Sequence, residues 1–282
     1  MMVLPLLAAL FLAPWASPES GDALWPVPKA EIRQRQAALL QNLWQGEIQP
    51  DWATCRDAAR EWLAELPDQP LRWQLAADWA QACWTSVHDP EDARDRLLAA
   101  LRRTATDLAF EPRQESPLPD GYPEPAPVGH LALHTYPADG LARTASAGRD
   151  STKAFWTLFR HIQSRDIAMT APVEMGYSMG ADRLQPVDMA FLYRRPEQAP
   201  AGAEPDVKVE QRGPRTALVL GCRGTMDQAS VQRAAEILRT ALHRLPGYQP
   251  TERVLVLGYN SPMVPWNQRF YEVAIELEPL SN

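Results

Sequence analysis

The chain has 282 residues, of which 45% are hydrophobic and 22% are charged, so it is long enough for two domains with a core each. It has 28 Lys and Arg residues against 35 Asp and Glu residues, which gives a formal net charge of −7. Because binding to a phosphate backbone needs a basic surface, this balance argues against a nucleic-acid partner.

The chain begins with an apolar stretch, residues 2–12, that Pro5 interrupts. The stretch is shorter than the roughly twenty residues that span a bilayer, and it is typical of the h-region of a secretory signal. Residues 21–23 offer a small-x-small cleavage site. We therefore predict a signal segment over residues 1–23 and a periplasmic or secreted protein. The alternative is an uncleaved segment that anchors the protein to a membrane.

Residues 24–110 have helical periodicity throughout and predict a small helical bundle. The fourth helix has the clearest start, because Asp89 is a typical N-cap residue and Pro90 suits the first helical turn. The predicted apolar positions are Ile32, Leu39, Leu40, Leu43 and Trp44 in the first helix; Cys55, Ala59, Trp62, Leu63 and Leu66 in the second; and Leu97, Leu98, Leu101, Ala105 and Leu108 in the fourth. The third helix is expected from about residue 71 to residue 87.

Eight of the ten tryptophans precede residue 110, and six of them lie in these predicted helices. Tryptophan at helical spacing is typical of a bundle core. The alternative is a surface that stacks a ligand or docks a protein partner.

Two cysteines of the bundle favour export. If the second and third helices form a hairpin about residues 67–70, Cys55 and Cys83 lie at nearly equal distances from the turn along the sequence. A disulfide between them could stabilise the bundle by about 3 kcal/mol and would need an oxidising compartment. The alternative is a pair of free thiols in a reducing compartment, and Cys222 is expected to be a core thiol.

Residues 111–127 contain six prolines, which predicts an extended, semi-rigid linker between two domains. From residue 128 to residue 282 the pattern alternates strands and helices in the order ββαββ, twice. Two such units, each with a helix that covers one sheet face, predict an α+β domain with a mostly antiparallel, distorted barrel and two outer helices. The predicted strands are 128–136, 141–144, 167–177, 187–193, 207–211, 216–222, 253–259 and 269–277, and the helices are 151–162 and 227–245.

Two short strings stand out in this half. Residues 167–173 read IAMTAPV, and residues 258–262 read GYNSP, followed at 269–273 by RFYEV. Each string is interpreted as an apolar strand that runs into a turn with Ser or Thr and Pro, after an amphipathic helix. Their order and spacing resemble the SOUL/heme-binding protein family over about residues 128–278. The resemblance implies a duplicated α+β barrel that binds heme, another tetrapyrrole or a different hydrophobic small molecule without covalent attachment.

The resemblance also implies where a ligand would lie, namely between the first helix of the domain and the loop that joins its last two strands. The helix offers Lys153, Trp156 and Arg160, and the loop offers Met263 and Trp266. Aromatic and apolar side chains suit a porphyrin ring, and cations suit its propionates. These five residues are the predicted cofactor-binding set.

An iron ligand is less clear from the sequence. Some family members have a His directly before the Tyr of the first strand, where this chain has Thr135 before Tyr136. His134 is one residue away and is expected to point to the other face of the strand, so it is a weak candidate axial ligand.

One enzyme motif competes with this reading. Residues 176–180 match GxSxG around Ser178, and later Asp residues followed by His243 give the order of an α/β-hydrolase triad. A nucleophile elbow needs a helix directly after the serine, and the residues after Ser178 predict a turn and a strand. We therefore expect a non-enzymatic binding protein, with a scaffold that docks a partner through its Trp-rich bundle as the alternative and a serine hydrolase as a remote one.

Overall fold

The computed structural model describes residues 24–45, 50–145, 151–179, 183–199 and 205–280. The predicted signal segment lies outside these residues. The helices are α1 Ala30–Gln41, α2 Trp52–Glu65, α3 Pro70–Thr85, α4 Pro90–Leu108, α5 Ser151–Gln163 and α6 Gln228–Leu242. The strands are β1 Leu131–Tyr136, β2 Asp139–Ala145, β3 Val173–Met179, β4 Leu184–Leu192, β5 Lys208–Arg212, β6 Arg215–Arg223, β7 Tyr248–Gly258 and β8 Phe270–Pro279. No helix among the described residues is both long enough and apolar enough to span a bilayer.

Helices α1 to α4 form the predicted bundle, and α4 begins as expected, since the Asp89 side chain accepts a hydrogen bond from the amide of Asp92. The predicted apolar face of α1 is partly wrong, because Ile32 and Leu39 are each 50% exposed. The buried positions of α1 are Ala37 and Leu40. At 3.6 residues per turn, residues 32 and 39 lie about a quarter of a turn or more from that stripe.

The bundle tryptophans mostly confirm the core interpretation. Partly buried rings pack against the bundle core at Trp44, Trp52, Trp62 and Trp79. Trp73 packs instead against the core of the C-terminal domain, and the Arg244 guanidinium lies 5.6 Å from the centre of its ring. Trp84 is the exception, at 64% exposed.

The predicted Cys55–Cys83 disulfide is not formed, because both residues are free thiols in the structure, as is Cys222. Equal height along a helical hairpin fixes the rise of a residue but not its direction around the helix axis. Cys55 is buried in the bundle core, and burial raises its pKa while Arg94 of α4 acts to lower it. Cys83 is only partly buried, and the charge that acts on it is that of Arg56, the residue after Cys55.

The C-terminal domain is an α+β fold with one eight-stranded antiparallel sheet in the order β1-β6-β8-β7-β3-β4-β2-β5. Exchanging each strand of the first half with its counterpart in the second (β1 with β5, β2 with β6, and so on) reverses this order and otherwise leaves it unchanged. This symmetry confirms the predicted duplication. Strands β1 and β5 are the two edges, and Asp139 of β2 pairs with both Arg212 of β5 and Arg215 of β6.

The two motif strings meet at the centre of this sheet. Val173 of β3 lies opposite Gly258 of β7, so the turn that precedes β3 is next to the turn that follows β7. The first string was predicted as a strand, and here the prediction is wrong: residues 167–172 precede the strand, with a cis peptide bond between Ala171 and Pro172. The first turn therefore precedes a strand, β3, whereas the second turn follows one, β7.

The helical bundle docks on the edge strand β1 and on α6. The buried side chain of Gln69 accepts a hydrogen bond from the amide of Leu131 at 2.8 Å. Two ion pairs join the same domains, Asp68 with Arg244 and Asp107 with Arg223, at 2.6 and 2.5 Å. The two domains are thus packed against each other as well as joined by the Pro-rich segment.

Candidate functional site

Helix α5 has one buried face and one exposed face. It packs on β2 and β4 through buried side chains that include Leu158 and Ile162. Lys153, Trp156 and Arg160 lie on the exposed side, and Trp156 is 53% exposed. The face of α5 that does not contribute to the core therefore presents an aromatic ring together with two cations.

Trp156 is part of an aromatic cluster along one side of α5. Its ring centre lies 5.7 Å from that of Phe155 and 5.5 Å from that of Phe159, both edge to face. Phe155 and Phe159 are only partly buried, and they pack against the same apolar core as Met169 and Val173. Phe155 and Phe159 are not among the predicted binding residues, so this extension of the exposed apolar surface was missed.

Strand β3 is less covered on its outer face than on its inner face. Helix α5 lies over β2 and β4, and α6 lies over β6, β7 and β8, so β3 runs between the two helices. Its outward side chains Val173, Met175 and Tyr177, here called the β3 strip, are only partly buried. Met175 packs with the apolar clusters of both helices. The β3 strip therefore continues the apolar surface of α5 towards α6.

The loop between β7 and β8 is rooted next to this strip. A Cβ atom at Gly258 would lie 3.4 Å from the Met226 sulfur and 3.6 Å from the Met175 methyl group. Asn260 closes the base of the loop, since its side-chain oxygen accepts a hydrogen bond from the amide of Phe270 at 2.8 Å. The two signature turns and the β3 strip thus share one end of the sheet.

The rest of the loop is braced from within. The Arg269 guanidinium donates hydrogen bonds to the carbonyl oxygens of Val264 and Pro262, each at 2.7 Å. Val264 points inward and is 2% exposed, whereas Met263 is 89% exposed and Trp266 is 64% exposed. The loop therefore holds two large apolar side chains in solvent on a fixed backbone.

The three predicted residues of α5 share its exposed side but have different neighbours. Trp156 joins the aromatic cluster that faces the β3 strip. Arg160 instead lines a shallow pocket of about 280 Å³ with Thr157, Ser164 and residues 205–207. By helical spacing Lys153 lies nearer to Arg160 than to the phenylalanines. The two cations are thus placed along the far edge of the aromatic surface.

His134 lies on the opposite face of the sheet from α5. Its ring is 8% exposed, and its Nδ1 atom is 3.4 Å from the Tyr136 hydroxyl and 4.0 Å from a Glu272 carboxylate oxygen. Of the other described histidines, His130 is buried, His88 lies in the helical bundle and His243 ends α6. His161 follows Arg160 on α5 and lines the same pocket, but it is 3% exposed and its Nε2 atom lies 2.8 Å from the Tyr193 hydroxyl. The sheet therefore separates the weak axial candidate from the other five predicted residues.

The inner face of the sheet carries a buried ionic network. Glu174 has no exposed surface and pairs with Arg212 and Arg143, and Asp188 pairs with Arg143 and Arg253. Burial alone would raise the pKa of Glu174, but the guanidinium charges of Arg212 and Arg143 outweigh burial and lower it. Sequence patterning gave no signal for this network, because its members lie on different strands.

Ser178 of the GxSxG motif lies within β3, opposite Gln185 of β4 and Arg253 of β7, and not on a strand-to-helix turn. The last glycine of the motif, Gly180, lies outside the described residues. Gly176 is explained by packing, because a Cβ atom there would lie 2.6 Å from both the Arg253 guanidinium and the Asp188 carboxylate. The first glycine of the motif thus leaves room for the Arg253–Asp188 ion pair next to β3.

Comparison with known proteins gives a family. The family described as SOUL heme-binding protein matches residues 130–276, just over half of the chain. No curated protein matches. The C-terminal domain of EcmrR is 13% identical, with a TM-score of 0.40 over 54% of this chain and 98% of that one. A hydrolase from Listeria innocua is 10% identical, with a TM-score of 0.40 over 54% and 94%. SAV2435 bound to tetraphenylphosphonium is 10% identical, with a TM-score of 0.34 over 53% and 94%.

Proposed function

Because the chain belongs to the SOUL heme-binding protein family through residues 130–276, we propose that its C-terminal domain binds heme or a related tetrapyrrole without covalent attachment. The observation that carries the proposal is the exposed aromatic surface of α5 and the β7–β8 loop. Trp156 and Trp266 keep 53% and 64% of their surface in solvent although the backbone beneath them is packed. Exposed apolar surface of this kind is typical of a binding site.

The residues on this surface fit the ring and the propionates of a porphyrin. Trp156, Met263 and Trp266 offer apolar contact area, and Lys153 and Arg160 offer cations at the edge. No described histidine exposes its ring on this surface, since His161 beside Arg160 is buried against Tyr193, so the ligand is held by its ring and its carboxylates. The role that follows is transport, buffering or sensing of a tetrapyrrole and not catalysis.

A hemin titration of the purified full-length protein tests this function. We expect a shifted Soret band at micromolar hemin. Because the surface offers no histidine to the iron, we expect metal-free protoporphyrin IX to bind within about threefold of hemin, measured by its fluorescence. A protein that leaves both spectra unchanged at micromolar ligand does not have this function.

Variants locate the site. Removing one stacking aromatic ring costs about 1.4 kcal/mol, so Trp266→Ala should weaken hemin binding about tenfold. Trp84→Ala is the matched control, because Trp84 is also 64% exposed but lies in the helical bundle. For the cations, Lys153→Ala with Arg160→Ala should weaken hemin binding, whereas Arg60→Ala on α2 should not. Equal effects of the Trp266 and Trp84 variants would move the site elsewhere.

We further propose that the protein is exported, on the basis of the apolar stretch at residues 2–12 and the small residues at 21–23. Cleavage after residue 23 would leave Leu24 and Trp25 at the new N-terminus, and both are buried against the C-terminal domain. N-terminal sequencing of the protein from a periplasmic or secreted fraction should begin at Leu24. An intact residue 1 in a membrane fraction would indicate an anchor instead.

A further inference from the structure

The Pro-rich segment 111–127 is packed against the C-terminal domain along its length. Near its middle, the Pro117 carbonyl oxygen accepts a hydrogen bond from the amide of Ala171, in the first signature turn, at 3.0 Å. Near its end, the amide of Ala126 donates to the Glu272 carboxylate at 2.8 Å. A Cβ atom at Gly221 would lie 2.2 Å from the Ala126 carbonyl oxygen, so the segment needs a glycine beneath it. The segment is therefore part of the domain surface as well as a connection.

The first part of this segment contacts both ends of the β7–β8 loop. The ring of Phe110 stacks on Phe270, directly after the loop, with centres 6.3 Å apart and planes at 24°. At the other end, the Arg113 carbonyl oxygen accepts a hydrogen bond from the side-chain amide of Asn260 at 2.7 Å. The loop that carries Met263 and Trp266 is thus held from outside by residues 110–113.

Glu115 makes the third of these contacts. Its carboxylate accepts a hydrogen bond from the amide of Ser261 at 2.6 Å and lies 3.4 Å from the Ser261 hydroxyl. The hydrogen bond from the Ser261 amide lowers the pKa of Glu115, which is consistent with a charged acceptor. A charged acceptor makes the stronger kind of hydrogen bond, and it acts here on the third residue of the loop.

We propose that Glu115 is a positioning residue for the tetrapyrrole surface, which fixes the start of the β7–β8 loop and thereby the direction in which Met263 and Trp266 project. This inference rests on the proposed function. Glu115 does not itself contact the ligand in this arrangement. It connects the β7–β8 loop to the segment that follows α4. Asp107 of α4 pairs with Arg223 next to the same end of the sheet.

The test uses the full chain and two measurements on each variant. Glu115→Ala should weaken hemin binding about five- to tenfold and speed amide hydrogen exchange in a peptide covering residues 259–269. Glu115→Gln retains a carbonyl oxygen that can accept a hydrogen bond from the Ser261 amide. This variant should therefore keep most of the hemin affinity and most of the protection of the loop from hydrogen exchange. Glu124→Ala is the matched control, since Glu124 is exposed in the same segment.

The outcomes separate the two proposals. A parent protein that binds neither hemin nor protoporphyrin overturns the proposed function itself. A parent that binds hemin, together with a Glu115→Ala variant of equal affinity, overturns the role of Glu115 alone. Faster exchange in the loop without a change in affinity does the same, because Glu115 would then stabilise the loop without positioning the ligand.

Discussion

Glu174 and Arg212 form a paired contact in the interior of the C-terminal domain, where one guanidinium nitrogen lies 3.0 and 3.1 Å from the two carboxylate oxygens. Glu174 is on β3 at the centre of the sheet and Arg212 is on the edge strand β5. The contact therefore spans three steps of the sheet, from β3 across β4 and β2 to the edge strand β5. It helps to set how tightly this half of the sheet curves.

Replacing the charged Glu174 at the centre of the buried ionic network should lower the free energy of unfolding. Glu174→Gln leaves the guanidinium groups of Arg212 and Arg143 buried with one anion fewer, and breaking a buried ion pair costs about 3–5 kcal/mol. We expect a loss of about 3 kcal/mol in the free energy of unfolding, measured by urea denaturation at pH 7. Glu278→Gln, at an exposed position of β8, should change it by less than about 0.5 kcal/mol.

Low pH should destabilise the protein through the same residue, Glu174. Because the pKa of Glu174 is lowered in the folded protein, its contribution to stability is present above its unfolded pKa and is lost as the pH falls through the lowered value. The free energy of unfolding of the parent should thus fall more steeply below pH 4 than that of Glu174→Gln. Parallel curves would contradict the ionic role of Glu174.

Glu272 should have the opposite pH dependence. Burial raises its pKa to about 7, although hydrogen bonds from the Tyr259 hydroxyl and the Ala126 amide act to lower it. A carboxyl group whose folded pKa exceeds its unfolded value binds more protons when folded, so stability falls as pH rises between the two values. We expect the free energy of unfolding to decrease from pH 5 to pH 8, and this slope to be smaller in Glu272→Gln. The facing groups Tyr136 and His134 are unchanged in that comparison.

Gln69 should be important for domain docking. Its side chain is fully buried and accepts the amide hydrogen of Leu131 on the edge strand. Gln69→Ala leaves that amide buried without this acceptor, which costs about 1–3 kcal/mol. Urea unfolding should show this loss, and Gln74→Ala, at an exposed position of α3, should not. A loss of similar size in both variants would contradict the docking role of Gln69.

Substitutions at Gly176 and Ser178 show whether the GxSxG motif serves packing or catalysis. Gly176→Ala should destabilise the protein by about 2 kcal/mol or more, because the new methyl group overlaps the Arg253–Asp188 ion pair. Ser178→Ala, at an exposed strand position, should leave stability nearly unchanged. Both are measured by thermal unfolding. An ester hydrolysis activity that Ser178→Ala abolishes would restore the hydrolase interpretation.

Much of the architecture follows from local sequence patterns. The helical period predicted α2, α3 and α4 within a few residues, and Asp89 with Pro90 predicted the start of α4. The ββαββ repeat predicted the eight strands and their duplication. The errors arose where local pattern does not fix direction or pairing: residues 32 and 39 on α1, the 167–172 stretch and the Cys55–Cys83 bridge.

By itself the sequence determined the family and the order of the elements, and it predicted residues that would suit a porphyrin, because these depend on residue type and on the period of each element. Only the tertiary structure decided which residues meet. Antiparallel pairing of β3 with β7 brought the two signature turns together, the order β1-β6-β8 placed His134 near Glu272, and packing of the segment around Glu115 fixed the β7–β8 loop. Such contacts join residues up to about 150 positions apart, and no local pattern encodes them.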